Sequence, residues 1–417
     1  MSVAGGTELR LTWKREWTWI LIAVLTLRVL YSVVGVMTIS DGLPEALGAD
    51  ESLFSALAPL HTDGISQALV NVWMRWDTAW YLKIAASGYA ANDASIAFMP
   101  LYPWLIKGMG FLLGGNLLLG AILISNLAAI IAVILLYELA LLEINFKTNA
   151  MQSVLALLVF PTGFFLFAAY TESLFLALIL AVWLLARHKK WWAAGIMAAL
   201  ATLCRLQGAL LSPVLLWLYL EYAAGAEGLK PLEQLRAVWQ MLTSSTGWKK
   251  AKASLLRPVG LAILLPGATM LIYQAWLRSA NLGDIQDALI IQWGIRTVMP
   301  WEGFRLFVVR LVTTPRVFID TIDLGILVLM LGVCIYASIH LDLAYSLYNW
   351  LSLGLFFMRG TPPHLLDSFS RYLFLLFPAF LMFGAIKNRR LALVIGIFSF
   401  IVQLFLVMGF LDWRWVA

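Results

Sequence analysis

The chain has 417 residues, 62% of them hydrophobic and only 12% charged, with a formal net charge of +6. Apolar runs long enough to cross ~30 Å of hydrocarbon recur along its length, which excludes a soluble globular domain and predicts an all-α polytopic membrane protein. The two cysteines, Cys204 and Cys334, sit in apolar surroundings and imply no disulfide framework; with no basic arm, zinc spacing or RNA-binding signature, no nucleic-acid partner is predicted.

The first apolar run, about residues 17–38, is too long for a cleavable signal and lacks a small-residue cleavage site, so it is expected to stay as the first span. A polar stretch, 39–96, follows; it carries Asp41, Glu45, Asp50, Glu51, Asp63, Asp77 and Asp93 against only Arg75 and Lys83. Within it, Arg75-Trp76-Asp77-Thr78-Ala79-Trp80-Tyr81 sets one carboxylate among aromatic rings beside the membrane. A carboxylate is costly to keep there, which makes Asp77 a candidate functional group, with general base as one role. The simpler alternative is an Asp that caps a helix beginning at Thr78.

Residues 97–114 are apolar but broken by Pro and Gly, and predict a short interfacial or re-entrant segment. The first external loop and this segment together cover 39–116. Further spans are predicted at about 117–140, 151–169, 171–186, 191–206, 208–223, 258–278, 318–339, 341–358, 371–386 and 391–411, about eleven in one domain covering 1–417.

Lys and Arg in the short loops set the orientation. Arg10, Lys14 and Arg15 precede the first span. Arg187, Lys189 and Lys190 form one basic loop, residues 224–257 a larger one, and Lys387, Arg389 and Arg390 a third. With about eleven spans all four groups fall on one side, taken as cytoplasmic; the N-terminus is then cytoplasmic and the C-terminus external. Loop 279–317 departs from the rule, being external yet holding Arg296, Arg305, Arg310 and Arg316. Either the count slips there or those arginines have an external role.

This topology gathers Asp77, Asp93, Tyr170-Thr171-Glu172-Ser173, Arg205-Leu206-Gln207, Gln292-Trp293-Gly294 and Arg371-Tyr372 at external span ends or in external loops. A polar cluster built from many helices at one membrane face suits an amphiphilic substrate. Taken singly, Glu172, Arg205 or Arg371 could equally be a helix-end snorkeller or a structural ion pair.

The run Trp76-Asp77, Trp80-Tyr81, Ile84-Ala85, Gly88-Tyr89, Asp93 and Ala97-Phe98-Met99-Pro100-Leu101-Tyr102-Pro103 resembles the first-loop signature of the PIG-V-type mannosyltransferases. The resemblance continues through Phe160-Pro161-Thr162, Tyr170-Thr171-Glu172-Ser173, Arg205-Leu206-Gln207-Gly208, Gln292-Trp293-Gly294, Arg371-Tyr372, Phe377-Pro378 and Trp415-Val416-Ala417. Met99 stands where the family usually has Phe, and Gln207 where a small polar residue or Asn is common.

The resemblance implies a GT-C-like bundle, in a prokaryotic relative, that takes a sugar, mannose by default, from a polyprenyl-phosphate donor. The acceptor would be a hydroxyl on a lipid, glycan or protein at the external or lumenal face. It implies Asp77 as catalytic base or acceptor-positioning group, with Asp93 at the family's second acidic position.

The residue types fit that chemistry. Inverting transfer needs a carboxylate to take the acceptor proton opposite the leaving phosphate. Arginine suits the phosphate: Arg205, Arg371 and Arg296 are the candidates, with Glu172 as a further acidic group. Trp76, Trp80, Tyr81, Tyr170, Gln207, Gln292, Trp293 and His364 are candidate substrate contacts. No cofactor is required, although Asp77 and Asp93 could share a divalent ion. Rival classes are a secondary transporter or lipid flippase, since intramembrane charge marks those too, and a non-catalytic subunit of an envelope complex. The acidic, Trp-rich first loop has no counterpart in the second half, which speaks against a duplicated transporter.

Overall fold

The computed structural model describes residues 13–38, 69–91, 93–144, 147–255, 258–313, 318–360 and 368–416. Apart from turns, irregular connections and one isolated bridge between Thr297 and Arg359, the described residues form helices: α1 (Arg15–Thr38), α2 (Asp77–Ser87), α3 (Leu101–Leu112), α4 (Leu117–Ile144), α5 (Lys147–Leu158), α6 (Glu172–Arg187), α7 (Trp191–Cys204), α8 (Leu211–Ala223), α9 (Pro231–Thr243), α10 (Ser245–Leu255), α11 (Pro258–Ser279), α12 (Ile285–Trp293), α13 (Pro300–Thr313), α14 (Phe318–His340), α15 (Leu343–Phe357), α16 (Phe369–Leu373), α17 (Pro378–Gly384) and α18 (Arg389–Leu411). Five of these, in α1, α4, α11, α14 and α18, are long and apolar enough to cross a bilayer. The shorter apolar helices sit between them: α6 packs on α4 and α7, and α7 on α11. Small residues permit the closest contact, since a Cβ on Gly195 of α7 would lie 2.3 Å from the carbonyl oxygen of Ala262.

Two predicted spans do not run as single helices. The stretch predicted at 151–169 stops being α-helical at Leu158, continues through a 3₁₀ turn (Gly163–Leu166), and reaches α6 as irregular chain. Pro161 has no N–H to give and its ring crowds the preceding turn. The stretch predicted at 371–386 divides into α16 and α17 before Pro378, which stands at the start of the second helix. Non-helical backbone at such depth is tolerated only inside protein, and both breaks are buried: Phe160, Phe164 to Tyr170, and Phe374 to Phe377 are all in the core.

The bundle has two polar ends. At one end lie Lys14 with Glu138, and Arg187 with Glu143, Glu221 and Asp342. At the other lie the start of α6, the end of α7, α2 and α16. Residues 280–313 lie at this second end and carry α12 and α13; α12 packs on the 3₁₀ turn Ala94–Ala97. Loop 224–257 carries α9 and α10.

Candidate active site

A chain turn delivers Asp77. Thr78 N–H donates to the Arg75 carbonyl at 3.1 Å, and α2 begins at Asp77 itself. Asp77 is therefore the first residue of the helix, not its cap, and its side chain caps nothing. Its backbone N–H donates to the Tyr170 hydroxyl at 3.2 Å, and that hydroxyl donates to the Arg75 carbonyl at 3.3 Å. The carboxylate is left to face a cavity of about 330 Å³.

One guanidinium organises the wall. Arg371 Nη1 donates to Asp77 Oδ2 at 2.8 Å, and its Nε lies 3.5 Å from Glu172 Oε1. The same Glu172 oxygen accepts from Arg205 Nη1 at 2.8 Å, while Arg205 Nη1 also donates to Thr171 Oγ1 at 2.7 Å. Asp77, Glu172, Arg205 and Arg371, from four distant segments, thus form one chain of contacts. The Glu172 side chain is fully buried and that of Asp77 is 20% exposed, so Asp77 is the carboxylate a substrate can reach.

Local backbone explains the arginines. At Arg205 the chain leaves α7 in an extended conformation (φ −150°, ψ 142°) and enters a 3₁₀ turn, Leu206–Leu210. Gly208 makes that turn possible: a Cβ there would meet the Thr202 nitrogen at 2.3 Å. Arg371 follows Ser368, whose φ is +60°, and projects from the short α16.

A third arginine, Arg359, escaped the sequence reading. It lines the cavity, donates from Nη1 to the Tyr372 hydroxyl at 2.9 Å, and lies over that ring at 5.4 Å. Arg205 and Arg371 lie over the same ring at 5.6 and 5.3 Å. Val298 N–H to the Met358 carbonyl and Gly360 N–H to the Arg296 carbonyl, both 2.8 Å, staple Arg359 to the segment after α12. The available signal was a lone arginine, Met358-Arg359-Gly360, at the end of an apolar run.

The remaining candidates divide. Tyr81, Gln207 and Trp293 line the cavity; Gln207 Nε2 donates to Ser352 Oγ at 2.9 Å, and Trp293 meets Phe98 edge-on at 5.9 Å. Burial pushes the Tyr81 hydroxyl well above its ordinary range, so it remains a donor. Tyr170 is buried behind Asp77, Trp80 is stacked on Phe98 at 6.0 Å, and Trp76 packs on Trp413 and Trp415; none of the three lines the cavity. Gln292 and the exposed Arg296 also lie outside its wall. His364 falls outside the described residues.

Asp93 is engaged elsewhere. It caps the turn Ala94–Ala97 by accepting from Ser95 N–H at 2.8 Å, and pairs with Lys83 at 2.7 Å. Partial burial pushes its carboxyl up, but Lys83 and Ser95 outweigh this and hold it below the usual carboxylate range. Asp77 and Asp93 are not assembled as a shared ligand pair, since only Asp77 reaches the cavity. Among the described residues no group of three or more His, Cys, Asp or Glu gathers to hold a metal ion.

Residues 20–245, more than half of the chain, match the family model for mannosyltransferase (PIG-V). GPI alpha-1,6-mannosyltransferase 2 of Rattus norvegicus is 29% identical over 155 residues, 35% of this chain and 31% of that protein. GPI mannosyltransferase 2 of Schizosaccharomyces pombe is 30% identical over 153 residues, 36% of this chain and 32% of that one. The match thus spans about a third of the length of these curated relatives. Among solved structures, ArnT from Cupriavidus metallidurans bound to undecaprenyl phosphate aligns with 92% of this chain and 60% of its own, at 13% identity and a TM-score of 0.46. Archaeal oligosaccharyltransferase AglB from Archaeoglobus fulgidus, in complex with an inhibitory peptide and a dolichol-phosphate, aligns with 97% and 57%, at 13% identity and a TM-score of 0.45.

Proposed function

The chain belongs to the PIG-V mannosyltransferase family, and from that premise we propose that it is an inverting membrane glycosyltransferase moving mannose from a polyprenyl-phosphate carrier to a hydroxyl acceptor. The observation that carries this reading is the Arg371 bridge, which ties Asp77 to Glu172 and, through it, to Arg205 beside one cavity.

In this reading Asp77 takes the acceptor hydroxyl proton as that oxygen bonds to the anomeric carbon. The anomeric carbon–oxygen bond to phosphate breaks on the opposite face, and its electron pair leaves on the phosphate oxygen. Arg371, Arg205 and Arg359 meet that charge; Arg359 is added to the phosphate group because it shares the cavity wall and the Tyr372 ring with the other two. Fixed guanidiniums supply the stabilisation that a divalent ion would otherwise bring, so the reading requires no metal. Glu172 acts from behind, holding Arg205 and Arg371 in register. Leu289, Ile295, Leu355 and Phe356 give the cavity an apolar side that suits the first prenyl units. The acceptor is a lipid, glycan or protein hydroxyl.

Asp77→Asn tests the base. It keeps the shape of the side chain, so folding and monodispersity in detergent should persist while turnover falls about 10²–10⁴-fold. Turnover near that of the parent would remove Asp77 from the mechanism.

The reading also puts the cavity at the external or lumenal face, with the N-terminus and loop 224–257 in the cytoplasm. Cys204 and Cys334 are buried, so a single added cysteine reports cleanly. Ala280→Cys, exposed at the cavity end, should react with an impermeant thiol reagent outside intact cells; Ser244→Cys should not. The reverse pattern would overturn the orientation.

A further inference from the structure

We infer that the segment after the last long helix, residues 412–416, is a positioning element that holds Asp77 in its working geometry. The inference rests on Asp77 being the base. Trp76, at the first central position of the turn that delivers Asp77, has φ +45° and ψ −116°. That conformation belongs to glycine; a residue with a Cβ persists there only when its surroundings hold it.

The surroundings come from the end of α18. The Trp76 indole lies edge-on to both Trp413, at 5.9 Å and 73°, and Trp415, at 5.5 Å and 79°. Arg75, the residue before it, donates from Nε and Nη2 to the Leu411 carbonyl at 2.9 and 2.7 Å, and its guanidinium lies 4.4 Å over the Trp413 ring. That carbonyl belongs to the last turn of α18, where a helix leaves its acceptors without internal donors. The segment is itself fixed: Arg414 N–H donates to the Gly409 carbonyl at 2.8 Å, and Val416 is buried. From the opposite side, the Tyr170 hydroxyl binds Asp77 N–H and the Arg75 carbonyl. The strained turn is thus gripped by two segments, one from the 159–171 break and one from 411–416. Trp415 lines the cavity, whereas Trp413 does not, so Trp413 acts on the reaction through Trp76.

The test measures tritiated mannose transferred from undecaprenyl-phosphate mannose to membranes of source cells that lack the enzyme. Trp413→Ala should lower kcat about ten- to hundredfold while donor KM stays near the parent value, because a small misplacement of a reacting group is enough for such a loss. Trp413→Phe should restore most of it. In the Asp77→Asn background Trp413→Ala should cost nothing further, the signature of two residues acting as one unit. A parental kcat for Trp413→Ala, or an equal fold-loss in the Asp77→Asn background, would overturn the inference. Should Trp413→Ala fail to fold, Trp76→Gly serves, since glycine suits the backbone while removing the indole; it should show the same fall in kcat, and a parental kcat would again overturn the inference. If Asp77→Asn alone turns over like the parent, the reading of Asp77 fails first and takes this inference with it.

Discussion

The two polar ends of the bundle use the same residue types for opposite purposes. At the far end one guanidinium answers three carboxylates: Arg187 reaches Glu143 at 3.0 Å, Glu221 at 3.3 Å and also Asp342. Further donors close that knot, with Tyr345 giving its hydroxyl to Glu143 and Gln234 its amide to Glu221 while accepting from Leu343 N–H. At the cavity end the guanidiniums of Arg205 and Arg371 share Asp77 and Glu172, and Arg359 lies beside them on the cavity wall. These groups face an open volume instead of a packed interface. Buried charge alone does not mark a site. Whether the charges meet a cavity separates a closed structural clamp from a candidate site.

The largest effect should come from the clamp. Arg187→Met leaves three carboxylates facing one another, and removing one partner of a buried ionic cluster costs about 3–5 kcal/mol. The thermal midpoint in detergent should fall markedly while turnover per folded molecule stays near that of the parent. A variant that is fully stable, or that folds but has lost its activity, would break the comparison.

At the cavity end the order reverses, with activity suffering more than stability. On the proposed donor site, Arg205→Ala should remove a charge-assisted contact to phosphate, worth about 1.5–3 kcal/mol, or roughly ten- to hundredfold in donor use. Arg205→Lys should recover only part, because an ammonium lacks the planar fork. Full recovery with unchanged donor KM would return Arg205 to the snorkelling residues.

The smallest effect belongs to Lys83→Gln, which frees Asp93. A half-exposed pair of this kind contributes about 0.2–1 kcal/mol. Because Asp93 is held below its ordinary range in the fold, the contribution is present above that range and is lost as pH falls through the lowered value. Chemical denaturation at neutral pH should detect the difference and denaturation in strong acid should not; a large loss of turnover would instead bring Asp93 into the chemistry.

Much of the cavity was legible in the sequence, and the reason is energetic. A charged residue at the end of an apolar run is costly enough to be conspicuous, which is how Asp77, Glu172, Arg205 and Arg371 were singled out before their contacts were known. The aromatic candidates were harder to sort. Trp76, Trp80 and Tyr170 carry the same local signal as Tyr81 and Trp293, yet the first three are packed outside the cavity wall. An aromatic ring is equally at home in a core, in an interfacial belt or against a sugar, so its type does not say which. Arg359 was passed over because a single arginine at a span end is also what snorkelling produces.

Composition and the lengths of the apolar runs by themselves determined that the chain is a helical membrane protein with its charges gathered at span ends, because a bilayer imposes both on any sequence that crosses it. Only the tertiary structure decided that Arg371 meets Asp77 across 294 residues of chain, that Asp93 is taken by Lys83, and that Trp413 and Trp415 grip the turn before α2. These are contacts between segments far apart in sequence. Their energies depend on distance and burial, which local periodicity does not encode.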